Sequence, residues 1–321
     1  MEKIPAFEVV EPGVLTTIQD LGRYGFSQFG VPPSGALDAF SLRVGNLLVG
    51  NREEEACLEI TLMGLKIKAL KEVVIAITGG DLSPTLNGDP LDMWRAHLLV
   101  EGDVLFFRKV RTGCRAYLVL SGGVVAPKIM GSLSTYLSGN FGGLEGRKFR
   151  RGDILYALDL PSSLDKLGIR FPSDWIPSLE KEVTLRVIPG PQDHHFTEKG
   201  FQTFRSSSYQ VTLQCDRMGV RLEGPKIERR SDVEESIISE GLISGAIQVP
   251  GDGKPLLILT ELVTGGYTKI ATIISVDLPK VAQLKPGDQV RFTPISIEEA
   301  HDLLKRQEDQ LRKFKKTLQQ H

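Results

Sequence analysis

Short apolar runs rich in β-branched residues recur along the chain, cut by Gly and Pro every few residues, which is the pattern of strands joined by tight turns. The clearest predicted strands are KEVVIAITGG (71–80), RAYLVLSGG (115–123), EVTLRVIPG (182–190), SYQVTLQCD (208–216) and KPLLILTELVTGG (254–266). Three of these runs end in paired-glycine loops, Thr78-Gly79-Gly80, Ser121-Gly122-Gly123 and Thr264-Gly265-Gly266. A second recurring unit is Gly-Asp followed by alternating apolar residues: GDVLFF from 102, GDILYA from 152 and GDQVRF from 287. Each reads as a turn that launches a strand. Gly takes a backbone angle that other residues avoid, and Asp bonds nearby amides. The recurrence hints at related β units in the two halves.

Helical periodicity is scarce. ALDAFSLRVGNLLVGN (36–51) places Leu37, Phe40, Val44, Leu47 and Leu48 on one face, and Gly50-Asn51 supplies a stop. From Ser296 the tail opens with a capping box, Ser296 and Glu299, and carries a stripe of Ile297, Ala300, Leu304, Leu311, Phe314 and Leu318. The stripe predicts packing on the protein's own barrel; the alternative is docking to a partner protein. Pro161, Pro172 and Pro177 break the pattern between Leu160 and Glu182, which marks a boundary. The expected fold is mainly β: two β-barrel halves, 1–160 and 182–295, a linker over 161–181, few short helices, and a C-terminal amphipathic helix over 296–321. Strands this short favour barrels or sandwiches over a parallel α/β sheet.

Composition adds exclusions. With 41% hydrophobic and 25% charged residues the 321-residue chain is that of a soluble globular protein. A net charge of −1 favours neither nucleic acid nor an anionic membrane as partner. The start, MEKIPAFEVV, has no apolar run of signal-peptide length, and later runs are interrupted well before the span of a membrane helix. Cys57, Cys114 and Cys215 are scattered, with neither a disulfide framework nor zinc-ligand spacing. A reduced, cytoplasmic protein is expected.

The common self-contained mechanisms leave no motif. There is no P-loop, no G-x-G-x-x-G after a first strand, no H-E-x-x-H or Cys-x-x-Cys, no Gly-x-Ser-x-Gly and no Ala-Met-Lys-Met biotinylation site. No metal site is therefore expected, ATP would be handled through a complex, and any biotin would arrive on another polypeptide. His194-His195 is the one tempting cluster. Neighbours on an extended chain point to opposite sides, so a shared metal is disfavoured and one histidine facing a cleft is the functional alternative to a packed imidazole. Asp38, in the first turn of the predicted helix, is explained by the helix dipole alone, with substrate binding as the other reading.

The stretch TTIQDLGRYGFSQFGVPPSGALDAF (16–40) is a long loop dense in Gly, Pro and polar side chains. With PGVLTTIQDLGRYGFSQFGVPPSGALD, GNLLVGN and ACLEITLMG, the opening of the chain resembles the biotin-dependent carboxyltransferase family. That family includes the C components of 5-oxoprolinase (KipI antagonist proteins) and the second carboxyltransferase segment of urea amidolyase. The likeness continues through TGGDLSPTLNGDP, GCRAYLVLSGG, GSLSTYLSGNFGGLEGRKFRRGD, IPGPQDHHF, CDRMGVRLEGP, GAIQVPGDGKP, TGGYTKIATII and LKPGDQVRF, covering about residues 7–293. The resemblance implies cyclophilin-like β-barrels, a small amide or lactam substrate, and two partners. These are the KipI-like B component and the A component of 5-oxoprolinase, which with the C component hydrolyse 5-oxoproline to glutamate with ATP. One stretch departs from the family's common Asp-x-Gln-Thr-Thr-Gly-Gly-Tyr-Pro: Thr260 stands for Asp, Leu262 for Gln and Thr268 for Pro. Leu262 cannot make the hydrogen bonds of Gln.

Within that frame the loop residues acquire roles. Gln19 offers the donor and acceptor that a lactam or urea requires, and Arg23 a planar fork for a carboxylate. Asp20 orients Arg23 or takes a proton from the substrate nitrogen; an internal Asp20–Arg23 salt bridge is the competing structural reading. Backbone amides at Gly265-Gly266 or Gly142-Gly143 are candidates for an anion-binding concavity, with ordinary hairpin turns as the alternative. Thr264, Tyr267 and Arg217, beside these motifs, complete the candidate set. Three functions remain open: the C component of an ATP-dependent 5-oxoprolinase, a carboxyltransferase using biotin from a carrier, and a non-enzymatic antagonist of a KipI-like kinase inhibitor.

Overall fold

The computed structural model describes residues 2–158 and 163–319. The expected boundary at 160–161 and the last two residues of the expected tail lie outside the described residues. Strands take 39% of the chain and helices 19%, so the protein is mainly β. Contacts sort it into two compact units. One comprises Met1–Arg23, Ser34–Ser178 and Asp309–His321; the other comprises Tyr24–Pro33 and Leu179–Glu308.

The first unit holds strands β1 (Lys3–Pro12), β2 (Leu15–Gln19), β3 (Cys57–Thr61), β4 (Leu65–Ala69), β5 (Val73–Asp81) and β6 (Pro84–Leu86). They continue with β7 (Asp89–Pro90), β8 (Ala96–Leu99), β9 (Val104–Phe107), β10 (Thr112–Leu120) and β11 (Ile154–Leu158), and helix α1 (Ala39–Leu48) lies between β2 and β3. One sheet runs β11-β1-β4-β9-β6-β7 and the other β2-β3-β10-β5-β8. They share an apolar core in which Phe7, Ile67 and Phe107 meet Ile18, Leu58, Ile60, Ile75 and Leu118. Alternation along each strand dictates that the intervening residues face the other way. On the second sheet that opposite face is also covered: Val74, Ala76, Tyr117 and Val119 pack with Phe40, Leu42, Val44, Leu47 and Leu48 of α1.

The second unit contains β12 (Glu182–Pro189), β13 (Tyr209–Cys215), β14 (Gly219–Glu223), β15 (Ser236–Gly241), β16 (Ala246–Val249), β17 (Leu256–Ile258), β18 (Thr264–Ile273) and β19 (Gln289–Pro294). Its helices are α2 (Glu198–Ser206) and α3 (Leu278–Ala282). The order β12-β19-β13-β14-β17-β16-β18 closes on itself because β18 also pairs with β12, and β15 adds to the free end of β18. Closure removes the exposed edges that an open sheet of short strands would present. Phe204 of α2 stacks on Phe292 of β19 at 4.4 Å.

The three Gly-Asp turns share one geometry. Gly102, Gly152 and Gly287 have φ of 93°, 85° and 93°, which the third position of such a turn demands. Asp103, Asp153 and Asp288 each accept from the amide three residues back, at 2.9, 2.7 and 3.0 Å. Each turn also docks on a neighbouring strand by a reciprocal backbone pair: Gly102 and Asp103 with Ala69, Gly152 and Asp153 with Val9, Gly287 and Asp288 with Val211. The paired glycines behave differently from the expected loops. Gly79-Gly80 lies inside β5 and Gly265-Gly266 inside β18, whereas Gly122-Gly123 forms a turn after β10. The predicted strand 254–266 likewise splits, with 259–263 leaving the sheet between β17 and β18.

The tail forms α4 (Ile297–Leu318), and its capping box is reciprocal: the Ser296 amide donates to Glu299 Oε2 at 2.8 Å, and the Glu299 amide to Ser296 Oγ at 3.1 Å. Its stripe divides. Leu311, Phe314 and Leu318 enter the core beside α1, where Phe314 meets Phe171 edge-on at 4.9 Å. Ile297 and Leu304 are exposed.

Candidate functional site

In the first unit, Asp20, Arg23, Gly142 and Gly143 converge on the segment Ser132–Thr135. β2 brings Gln19 and Asp20 to the end of its sheet, where the chain leaves the ladder and the Asp20 carboxylate becomes the partner of a loop. Asp20 Oδ1 accepts from the Gly22 amide at 2.7 Å, Ser132 Oγ at 2.6 Å and Ser134 Oγ at 2.5 Å, and Oδ2 from the Leu133 amide at 2.6 Å. The Asp20 amide donates back to Ser134 Oγ at 3.0 Å. Four hydrogen-bond donors therefore converge on this one buried carboxylate and tie the end of β2 to the 132–134 segment. Arg23, buried, donates to the Ser134 carbonyl, and its guanidinium lies 4.9 Å from the centre of the Phe141 ring. Ser134 thus carries Asp20 on its hydroxyl and Arg23 on its carbonyl.

Gly142 and Gly143 are packed, left-handed positions of the same cluster, with φ of 75° and 52°. A Cβ at Gly142 would meet the Ser134 carbonyl oxygen at 2.0 Å, and one at Gly143 would meet Thr135 Oγ1 at 1.9 Å. Only glycine lets this loop lie against 134–135.

Gln19 is fully buried. Its Nε2 donates to Thr17 Oγ1 at 3.0 Å and to the Thr135 carbonyl at 3.2 Å. A carbonyl only accepts, so the amide nitrogen must be the end that faces it. Gln19 Oε1 is then left buried without a partner among the described residues. Native interiors rarely leave an acceptor in that state unless water or ligand supplies the donor.

Next to Gln19 the same sheet face holds a polar cluster that sequence reasoning missed. Gln19 pairs with Cys57 and Thr17 with Glu59 across β2 and β3. Glu59 Oε2 accepts from Tyr117 Oη and from the Leu37 amide, both at 2.9 Å, and its Oε1 lies 3.8 Å from Arg115 Nε. Tyr117 Oη in turn accepts from the Asp38 amide at 2.8 Å. Asp38 is the N-cap of α1, its carboxylate accepting from the Ser41 amide at 2.9 Å and Ser41 Oγ at 2.7 Å. Burial, reinforced by Glu59 and Asp38, pushes the Tyr117 phenol well above its ordinary value, and burial with Glu59 and Asp20 does the same to the Cys57 thiol. Both stay protonated at neutral pH. The available signal was Glu59 itself, a carboxylate inside the strand ACLEITL, where alternation puts Cys57, Glu59 and Thr61 on one face.

The remaining candidates lie in the second unit. Arg217 and Glu261 form a buried ion pair at 2.6 Å. Thr264, Gly265, Gly266 and Tyr267 lie along β18, with Thr264, Gly265 and Tyr267 opposite Gly241, Glu240 and Ser236 of β15. A Cβ on Gly265 would approach Gln248 Nε2 at 2.6 Å. Tyr267 is partly exposed. Of the departures named, Thr268 is buried with Oγ1 toward the Val249 carbonyl at 3.5 Å, and Thr260 Oγ1 is buried without a partner among the described residues. Leu262 lines an apolar groove with Leu213, Met218, Leu256 and Ile258.

His194 and His195 do not point to opposite sides. Residues 193–195 form a 3-10 turn rather than an extended strand, which brings the two rings to 4.6 Å, edge to face. His195 is held below its ordinary pKa by burial first, then by His194, Arg230 and Arg229. Among the described residues no three His, Cys, Asp or Glu side chains gather as metal ligands.

The two β-rich units, with a loop pinned by a buried carboxylate at the end of β2, define a class that comparison with known proteins identifies. The model of the carboxyltransferase domain, subdomain A and B, matches residues 29–294, and the chain belongs to that family. The C component of the 5-oxoprolinase of Escherichia coli is 36% identical over 310 residues, which span 96% of each chain. The urea amidolyase of Saccharomyces cerevisiae is 37% identical over 320 residues, covering 94% of this chain and 17% of its own length. The crystal structure of the Kluyveromyces lactis urea amidolyase superposes with a TM-score of 0.91 at 36% identity, over 98% of this chain and 20% of that one. No helix among the described residues is long and apolar enough to cross a membrane.

Proposed function

We propose that this chain is the C component of an ATP-dependent 5-oxoprolinase, working in the cytoplasm with a KipI-like B component and an A component to hydrolyse 5-oxoproline to glutamate. The observation that carries this reading is the match to the C component of the E. coli 5-oxoprolinase, 36% identical over 310 residues. The buried loop chemistry is compatible with a lactam. Gln19 Oε1, an acceptor without a partner among the described residues, suits a substrate N–H. Arg23 and the backbone of the 132–143 loop suit the substrate carboxylate, and Asp20 holds that loop in place through its four accepted bonds.

The test is reconstitution. Glutamate release from 5-oxoproline and ATP is expected only when this chain is combined with the A and B components, and Gln19→Met is expected to raise KM more than it lowers kcat. Absence of glutamate from the three-component mixture, with all three proteins folded, overturns the reading. A second reading, carboxyl transfer from biotin carried on another polypeptide, is favoured by the close superposition on urea amidolyase. It requires measurable binding of free biotin or biotinyl-lysine by calorimetry, and product formation with urea in place of 5-oxoproline.

A further inference from the structure

A cleft of about 580 Å³ in the second unit lies outside every residue assigned above. Its walls come from α2, from the segment 226–235 and from the turn at 251–253, and they carry Lys226, Arg229 and Glu235 beside the apolar Ile227 and Val233.

Arg229 is the informative side chain. Its Nη2 donates to the carbonyls of Val249 and Pro250, which holds the guanidinium in place. Its Nε is buried with no partner among the described residues. Burial disfavours the charged form, and Glu235 and Asp252 offset this only through space, since no carboxylate pairs with Arg229 among the described residues. Three of the acids nearby are engaged elsewhere: Asp252 pairs with Arg221 and accepts from the Lys254 amide at 3.1 Å, Asp232 pairs with Arg230 at 2.6 Å, and Glu228 accepts from Thr197 Oγ1 at 3.0 Å and lies 3.8 Å from Lys199 Nζ; Glu235 is the further carboxylate lining the cleft. Lys226 has no ion-pair partner among the described residues. Desolvated cations are normally paired, because the protein does not return the hydration they lose. Here a fixed, half-buried guanidinium has no carboxylate paired with it among the described residues, and the exposed Lys226 borders the same cleft.

We propose that this cleft binds a small organic oxyanion, a carboxylate or a phosphate ester. Arg229 donates its free Nε–H to one oxygen of the anion, Lys226 closes over another, and the organic part lies on Ile227 and Val233. The volume falls in the range of small-molecule sites. Carboxylate and phosphate share the negatively charged acceptor oxygens that guanidinium and ammonium recognise. Glu235, on the rim beside Gly251, opposes the anion and would limit its affinity.

The experiment titrates the full chain at low ionic strength with inorganic phosphate and, separately, with glutamate, by calorimetry and by amide chemical shifts. Saturable one-to-one binding of at least one probe is expected, with shifts centred on 226–235 and 251–253. Lys226→Ala should weaken it and Glu235→Gln should tighten it, each by roughly fivefold, the scale of one partly exposed charge pair. Arg229→Gln should abolish it; if that variant fails to fold, the other two decide. Tighter phosphate binding identifies a phosphate ester as the ligand, and tighter glutamate binding a carboxylate. Failure of both probes to bind saturably, or binding identical in the wild type, Lys226→Ala and Glu235→Gln, overturns the proposal. Neither result bears on the 5-oxoprolinase reading, because no cleft residue takes part in it.

Discussion

Asp20→Asn tests the loop anchor with little change of shape. The amide keeps one acceptor oxygen and converts the other into an NH2 donor. Oδ1 receives three donors and Oδ2 one, so the retained oxygen is best placed at Oδ1, and the new NH2 then faces the Leu133 amide that now donates to Oδ2 at 2.6 Å. Serine hydroxyls can rotate to a new partner, but a backbone N–H cannot. Losing one hydrogen bond to a charged group removes about 1.5–3 kcal/mol, and a buried donor left unpaired adds about 1–3 kcal/mol. The expected loss is about 3–5 kcal/mol, read as a lower urea midpoint for the first unit at pH 7. Amide exchange at Leu133 and Gly22 should accelerate in step, because those N–H groups lose their acceptor or its charge. Ser134→Ala, which removes one of the Oδ1 donors and the acceptor of the Asp20 amide, should cost about 1–2 kcal/mol by the same reasoning. A loss under about 1 kcal/mol for Asp20→Asn, with exchange at Leu133 unchanged, would refute the anchor.

The other expectations are briefer. Gly142→Ala must move the Ser134 carbonyl and hold a side chain at a φ of 75°, so it should destabilise the first unit by more than about 1 kcal/mol and depress reconstituted activity; a variant with wild-type midpoint and turnover counts against the packed loop. Phe314→Ala should cost about 3–5 kcal/mol in chemical denaturation, whereas Leu304→Ala on the exposed part of the same helix should fall within about 0.5 kcal/mol of wild type. Asp277 is buried, which raises its pKa, but Arg186 (side chain and amide) and Lys280 outweigh burial and leave it below its ordinary value. Its stabilising effect is therefore complete above an unfolded pKa of about 3.9 and is lost as pH falls through the lower folded value. Asp277→Asn should lower stability by about 3 kcal/mol at pH 7 and flatten the acid limb of the stability–pH curve, and an unchanged acid limb would exclude this carboxylate as its source.

Local physics made much of the architecture legible from the chain alone. β-branched runs cut by Gly and Pro announce β12 and β13 nearly to the residue and β5 and β10 with their ends displaced, because alternation and turn chemistry operate within a few residues. The Gly-Asp turns and the Ser296–Glu299 box could be read for the same reason: donors and acceptors lie within three positions of each other. Long-range pairing, by contrast, was settled only by folding. Nothing near Asp20 in the chain announces Ser132 and Ser134, more than a hundred residues away, as its hydrogen-bond partners. Nor does local pattern show that Gly265-Gly266 continues a strand, since a glycine pair serves a turn or an extended ladder equally well until a partner such as β15 is laid beside it. The apolar stripe of α4 had the right period, but which half of it would be buried depended on where Phe171 and α1 stood. Burial and pairing across the fold assign such polar groups their charge state and their work, and those are properties of neighbours that the chain brings together only when it folds.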